Sequence, residues 1–177
     1  MLNIPNVLTT LRFIMIGVFL YFFFGPASYI SACVVYCLAA VTDVLDGYIA
    51  RKYDMVTDIG KLLDPLADKL MLIAALVCFY THQMIPSLIL LFVVIKEALM
   101  IAGGWFLYNK KVVVYANWVG KLGAFAFNAA VFLTFFADYV APWNLYLFYF
   151  AMAVAAVALV QYGVRNLIKG YLSKEDE

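Results

Sequence analysis

The sequence predicts an all-α polytopic membrane protein with six transmembrane helices and both termini in the cytosol. Three observations carry that expectation: an apolar composition, apolar stretches of bilayer length, and basic residues confined to one side. Hydrophobic residues make up 67% of the 177 and charged residues 13%, and mean hydropathy is +0.96. A soluble domain is about half apolar and about a quarter charged, so most of this chain expects lipid as its solvent. A net charge of +1 lacks the electrostatic footprint of a nucleic-acid binder.

The six apolar stretches cover about 7–24, 28–51, 61–80, 86–108, 117–140 and 144–169, each near the roughly 20 residues that a bilayer core demands of a helix. Turn chemistry separates them: Gly25-Pro26, Pro86, Asn109-Lys110-Lys111 and Pro142. The expected organisation is one membrane domain over 1–177, with a short interfacial lead-in over about 1–6 and a frayed, acidic tail over about 171–177. The first stretch is followed by further spans, so it is expected to be retained and not cleaved as a signal peptide.

Basic residues set the orientation. The turns near Gly25, His82 and Asp138 hold no Lys or Arg, whereas Arg51, Lys52, Lys110, Lys111, Lys169 and Lys174 all fall on the other side. By the positive-inside rule that side is cytosolic. Tyr21, Phe22, Phe23, Phe24, Tyr139 and Trp143 fall at the opposite boundary and read as an aromatic belt. Cys33, Cys37 and Cys78 lie inside apolar runs and read as small core hydrophobes, not as a disulfide framework.

Chemistry concentrates between residues 43 and 68. Asp43, Asp46, Gly47, Ala50 and Arg51 recur at helical spacings of three and four, which puts them on one face of the second span's cytosolic end. Gly60, Asp64 and Asp68 recur every four residues at the start of the third span. The turn between the spans reverses the chain, so the two faces can meet and four carboxylates converge. Intramembrane carboxylates cost a few kcal/mol or more and need partners, and like charges at close quarters oppose one another's ionisation. Divalent cations relieve both penalties. Carboxylate oxygens suit Mg²⁺ or Mn²⁺, whereas zinc favours His or Cys, and the single histidine, His82, lies toward the far side of the membrane. Paired metals on carboxylates are a recurring device in phosphoryl transfer. Gly47, Ala50 and Gly60 leave room for a flat base or a diphosphate, and Arg51 can donate a bidentate pair to phosphate.

The pattern Asp43-x2-Asp46-Gly47-x2-Ala50-Arg51-x8-Gly60-x3-Asp64-x3-Asp68 resembles the signature of the CDP-alcohol phosphatidyltransferase family, with every fixed position filled. The resemblance implies a homodimeric membrane enzyme. Such an enzyme transfers a phosphatidyl group from CDP-diacylglycerol to a small polar alcohol and releases CMP. It further implies two Mg²⁺ or Mn²⁺ ions per subunit on Asp43, Asp46, Asp64 and Asp68, with Asp68 as general base. Asp46, Gly47, Ala50, Arg51 and Gly60 would line the CDP diphosphate. A bacterial cytoplasmic membrane, with the site facing the cytosol, is the expected location.

The opening Asn3-Ile4-Pro5-Asn6 with Leu8-Thr9 and Arg12, and the run from Gly60 to Lys69, are similar to the phosphatidylglycerophosphate synthase branch of that family. That likeness implies glycerol 3-phosphate as acceptor. Cardiolipin synthases of the family share the same opening and core, so phosphatidylglycerol is the alternative acceptor, and another alcohol remains open. The fourth span departs from the first branch: Lys96-Glu97 stands where an Arg-Glu pair is usual, Gly103-Gly104 where a second Arg is usual, and Gly120-Lys121-Leu122-Gly123 lacks a further Lys. Candidate contacts to acceptor or lipid phosphate are Asn6, Thr9, Arg12, Lys96, Glu97, Lys121 and Arg165. Arg12 could instead snorkel to headgroups. Adjacent positions on a helix do not face each other, so Lys96 and Glu97 are expected to find partners elsewhere. Gly103-Gly104 suggests a close helix seam or room for an acceptor. Two other classes compete: an ion or metal transporter, because acids within spans mark ion pathways, and a non-catalytic membrane scaffold.

Overall fold

Helix is the only regular structure among the described residues of the computed structural model. The backbone is described for residues 4–25, 29–52, 58–109 and 118–172, and the side chains for 10–25, 29–43, 66–105 and 118–164. The helices run α1 Ile4–Phe24, α2 Tyr29–Lys52, α3 Asp58–Thr81, α4 Ser87–Asn109, α5 Trp118–Thr134, α6 Ala137–Val140 and α7 Trp143–Leu172. The six apolar stretches each yield one long helix, and α6 is a single turn. Within the described residues, Ser87–Trp105 and Trp143–Val164 are long and apolar enough to cross a membrane, and Thr10–Phe24, Tyr29–Asp43 and Trp118–Thr134 are shorter apolar helices. Large apolar side chains such as Ile14, Val34, Leu91, Trp105 and Val160 are exposed. Apolar helices with apolar outer faces fit a membrane protein, for which lipid is the outer solvent.

The chain divides into two compact units, Met1–Gln83 and Met84–Glu177. In the first, α1 packs against both α2 and α3. Each of these helices buries one stripe. On α1 it includes Phe19 and Phe23, on α2 Ala32, Tyr36 and Ala39, and on α3 Met71, Ala75 and Phe79. Spacings of three, four and seven keep such residues on one face. Phe23 rests edge-on against Phe79 and His82, with ring centroids 5.7 and 4.9 Å apart. The residues read as an aromatic belt are not all exposed. Tyr21, Phe24, Tyr139 and Trp143 are exposed, but Phe23 is core, because α1 turns it toward α3 while its neighbours face outward.

Helix α1 begins at Ile4, so Ile4-Pro5-Asn6 is already helical. Proline belongs in a first turn, where its missing N–H would have no partner anyway. Gly25 ends α1: its N–H donates to the Tyr21 carbonyl at 2.9 Å, and a Cβ there would meet that oxygen at 2.5 Å, so a larger residue cannot follow this path. His82 lies in the turn after α3, where its Nδ1 is 3.1 Å from the Cys78 carbonyl, as befits a loop residue held by local bonds. Cys33 and Cys78 are buried, and all three cysteines are free, as core hydrophobes should be.

In the second unit α5 packs along α7, which also contacts α4. Close approach occurs at Gly123, where a Cβ would stand 3.5 Å from the Ala155 backbone and from Val154 Cγ1. Ala126, Ala130, Ala151 and Ala155 extend this seam of small residues, which lets helix backbones approach without a hydrophobic drive between them. Gly103 and Gly104 form no such seam among the described residues. Gly103 has only Tyr162 Cε1 nearby, at 3.7 Å, and Gly104 faces open space. The fifth stretch also breaks earlier than its hydropathy implies. Helix α5 stops at Thr134, and Phe136 has non-helical backbone angles (φ −112°, ψ 27°). Buried Asn144 donates from Nδ2 to Thr134 Oγ1 at 3.3 Å, tying the start of α7 to the end of α5. That long-range bond favours a break which local composition does not signal.

Candidate active site

The buried stripes of the first unit do not end in apolar residues. On α1, Arg12 lies seven residues before Phe19 and eleven before Phe23, so the Phe19–Phe23 stripe leads directly to it. On α2, Asp43 follows Ala32, Tyr36 and Ala39 at intervals of eleven, seven and four. On α3, Asp68 precedes Met71, Ala75 and Phe79 by three, seven and eleven. Three charged residues therefore continue three apolar stripes and meet at one end of the same small core.

Arg12 is 1% exposed. Its Nη2 lies 2.9 Å from Asp43 Oδ1 and its Nη1 2.5 Å from Asp68 Oδ1. One guanidinium thus spans α2 and α3, with one arm for each carboxylate. The planar fork of arginine is built for this; a lysine would supply a point charge instead. The two acid side chains remain 38% and 44% exposed. The cation sits behind and the carboxylates in front, so both acids keep an open side that a ligand can approach.

The other members of the motif extend from this pair. Asp46, Gly47, Ala50 and Arg51 lie in the last turns of α2, and Gly60 and Asp64 in the first turns of α3. Asp46 is three residues beyond Asp43, and Asp64 four before Asp68, so each continues the face of its paired acid. The side chains of Asp46, Ala50, Arg51 and Asp64 lie outside the described residues, as do those of Asn6 and Thr9 in the opening turns of α1 and of Arg165 in α7.

Arg12 does not snorkel. Its side chain points inward because α1 packs against both acidic helices, and a buried cation between two acids removes the cost of leaving either uncompensated. Its register with Phe19 and Phe23 was the sequence signal that could have shown this.

The remaining candidate cations fall in the second unit. Lys96 Nζ contacts Glu97 Oε1, both side chains being largely buried, and lies 5.8 Å from the centroid of the Phe127 ring. The expectation that these neighbours could not pair was wrong. Neighbouring positions diverge at Cβ, but the lysine stem is long enough to curl back, and an apolar surround makes that pairing favourable. Lys121 lies over the Trp118 ring, 4.9 Å from its centroid, one turn away on α5.

Juxtaposed, half-exposed carboxylates at the ends of apolar helices define a site suited to binding cations, and phosphates only through such cations. The chain matches the CDP-alcohol phosphatidyltransferase family over residues 2–161 and belongs to it; it is therefore a transferase of phospholipid biosynthesis. Curated relatives narrow the likeness. The chain is 31% identical over 145 residues to the CDP-diacylglycerol–glycerol-3-phosphate 3-phosphatidyltransferase of Bacillus subtilis, an alignment covering 74% of this chain and 75% of that one. It is 34% identical over 125 residues to the protein of the same name from Rickettsia bellii, across 70% and 69% of the two chains. A third, from Aquifex aeolicus, is 34% identical over 122 residues, or 68% of each chain. Family membership decides the class in favour of the enzyme over the transporter and the scaffold.

Proposed function

We propose that this chain transfers the phosphatidyl group of CDP-diacylglycerol to a hydroxyl of glycerol 3-phosphate and releases CMP, at the cytosolic face of a bacterial membrane crossed by six helices. The observation that carries the reading is the pairing of Asp43 with Asp68 through Arg12, in a chain whose relatives bear that activity in their names. The homodimer expected from the family belongs to the same proposal.

The donor set fits divalent cations of the Mg²⁺ or Mn²⁺ kind. Asp43 and Asp68 present hard carboxylate oxygens on their exposed sides. His82, the single histidine, packs on Phe23, about 16 Å along α1 from Arg12 at a rise of about 1.5 Å per residue. Asp43, Asp46, Asp64 and Asp68 would hold two such ions. When bound, they supply charge neutralisation for the diphosphate and for the oxygen that leaves with CMP.

The chain's own residues do the rest. Asp68 accepts the proton of the acceptor hydroxyl. The hydroxyl oxygen then forms a bond to the lipid-bearing phosphorus, and the bond from that phosphorus to the CMP oxygen breaks. Arg51 holds a phosphate through its guanidinium, and Gly47, Ala50 and Gly60 leave space for the nucleotide. Lys96, Lys121 and Arg165, with Asn6, Thr9 and Glu97, are the candidates for the acceptor's polar groups. The engagement of Lys96 by Glu97 favours a second reading, a phosphatidylglycerol acceptor, because it occupies a cation that a phosphomonoester would want.

The test is CMP release by purified protein with CDP-diacylglycerol and Mg²⁺, offered glycerol 3-phosphate and phosphatidylglycerol in parallel, with and without EDTA. Chelator-sensitive release with glycerol 3-phosphate alone is expected. Release with phosphatidylglycerol alone would replace the acceptor, and EDTA-resistant release would remove the metals.

A further inference from the structure

Arg12 is unusual in its placement. Metal ligands are ordinarily kept clear of cations, yet here a fully buried guanidinium bridges two of the acids proposed to hold metal. It cannot be a surface residue folded in by chance, since it continues the buried stripe of Phe19 and Phe23 on a helix that contacts both acidic helices. Nor does it close the site, because each acid side chain remains more than a third exposed.

Two carboxylates brought side by side by helix packing repel one another, and a low-dielectric surround makes that repulsion larger than in water. A nearby cation relieves it when metal is absent, alongside the hydrogen bond between the two carboxyl groups. Arginine can do so from behind without using the front of either carboxylate: one amino group binds Asp43 Oδ1 and the other Asp68 Oδ1, which also fixes the spacing between α2 and α3.

We infer that Arg12 is the resident counter-ion of the acidic site: it holds Asp43 and Asp68 together when no metal is bound, and it weakens metal binding so that the ions can exchange. The inference rests on the proposal that these acids bind divalent cations. Arg12 is a positioning residue, acting through Asp43 and Asp68 and not on substrate.

Two consequences follow. Without the guanidinium, the empty site loses the cation that links both acids to α1 and keeps only the direct hydrogen bond between the two carboxyl groups among its described links, whereas the metal-loaded site has another source of positive charge. Removing Arg12 should therefore cost more stability in EDTA than in Mn²⁺. Removing one positive charge from beside the site should also tighten Mn²⁺ binding, on the order of tenfold, the size of one screened charge–charge repulsion.

The experiment compares wild type, Arg12→Met and Arg12→Lys, purified in detergent. Melting temperature is measured in EDTA and in saturating Mn²⁺, and Mn²⁺ affinity by electron paramagnetic resonance of the free ion. The expected result is a larger Mn²⁺-induced rise in melting temperature for Arg12→Met than for wild type, with tighter Mn²⁺ binding. Arg12→Lys should fall between them, since lysine keeps the charge but cannot reach both acids as a fork. An equal loss of melting temperature in EDTA and Mn²⁺, or unchanged or weaker Mn²⁺ affinity, would overturn the inference and reduce Arg12 to a packing residue. If Arg12→Met yields no folded protein in either condition, Arg12→Lys decides: a Mn²⁺-induced rise above that of wild type supports the inference, and an equal one overturns it. Mn²⁺ binding by wild type without a difference among variants sinks this inference alone. No Mn²⁺ binding by any of the three sinks the metal proposal with it.

Discussion

Asp68→Asn should separate the two jobs this residue holds, base and structural partner. In the structure Asp68 accepts from Arg12 Nη1 at 2.5 Å, while Asp43 accepts from Nη2. The amide that replaces the carboxylate keeps a carbonyl oxygen in reach of Nη1, and Arg12 keeps its bond to Asp43. What is lost is the charge assistance of one bond, partly offset by relief of the repulsion between the two acids. Hydrogen bonds to charged groups contribute about 1.5–3 kcal/mol and neutral ones about 1, so the difference is about 1 kcal/mol, less in practice because the Asp68 side chain is 44% exposed. For a chain of this size that lowers the melting temperature by roughly 2–4 °C. Loss of a general base costs on the order of 10²-fold or more in turnover, a barrier increase of about 2.7 kcal/mol. The assay pairs CMP release at saturating substrates with a thermal melt of the same preparation. Turnover like wild type would refute the base role. A collapse of the melt would refute the view that Arg12 is shared between two acids, since it would make Asp68 its main support.

Other substitutions probe the second unit. Gly123→Ala should be close to neutral, because a Cβ there makes only ordinary contact at 3.5 Å with Ala155 and Val154. Gly123→Leu should lower stability by about 1–3 kcal/mol through overpacking against the α7 backbone; an unchanged melt would place the helix seam elsewhere. Lys96→Met removes the cation facing a buried Glu97 and should cost about 3 kcal/mol, much of it recovered in the Lys96→Met, Glu97→Gln double variant. If that double variant is stable and its KM for glycerol 3-phosphate equals wild type, Lys96 has no part in acceptor binding.

Much of the first unit was legible in the sequence because its signals are local and periodic. The stretches read from hydropathy each correspond to a long helix, since an unbroken apolar run between turn residues admits little else. The spacing of Asp43 and Asp68 announced two acidic helix faces, and the reversal between them announced that the faces could meet. Local reasoning failed where a side chain's partner lies on another helix. Arg12 read as a phosphate contact or a headgroup anchor, since nothing within a turn of it explains a buried charge. Phe23 read as belt among four successive aromatics, and only α3 distinguishes it from Tyr21 and Phe24. The end of α5 at Thr134 is bonded to Asn144, ten residues away, and the pairing of Lys96 with Glu97 depends on rotamers that spacing does not specify.

The sequence by itself determined the helices and their acidic faces: apolar runs require lipid or burial, and the aspartate spacing places each pair of acids on one face of its helix, so that a shared acidic site can form. The tertiary structure alone decided how that site is neutralised. A charge is stabilised by whatever opposite charge lies within a few ångströms, and that distance is set by the contact of α1 with α2 and α3, not by any interval along the chain.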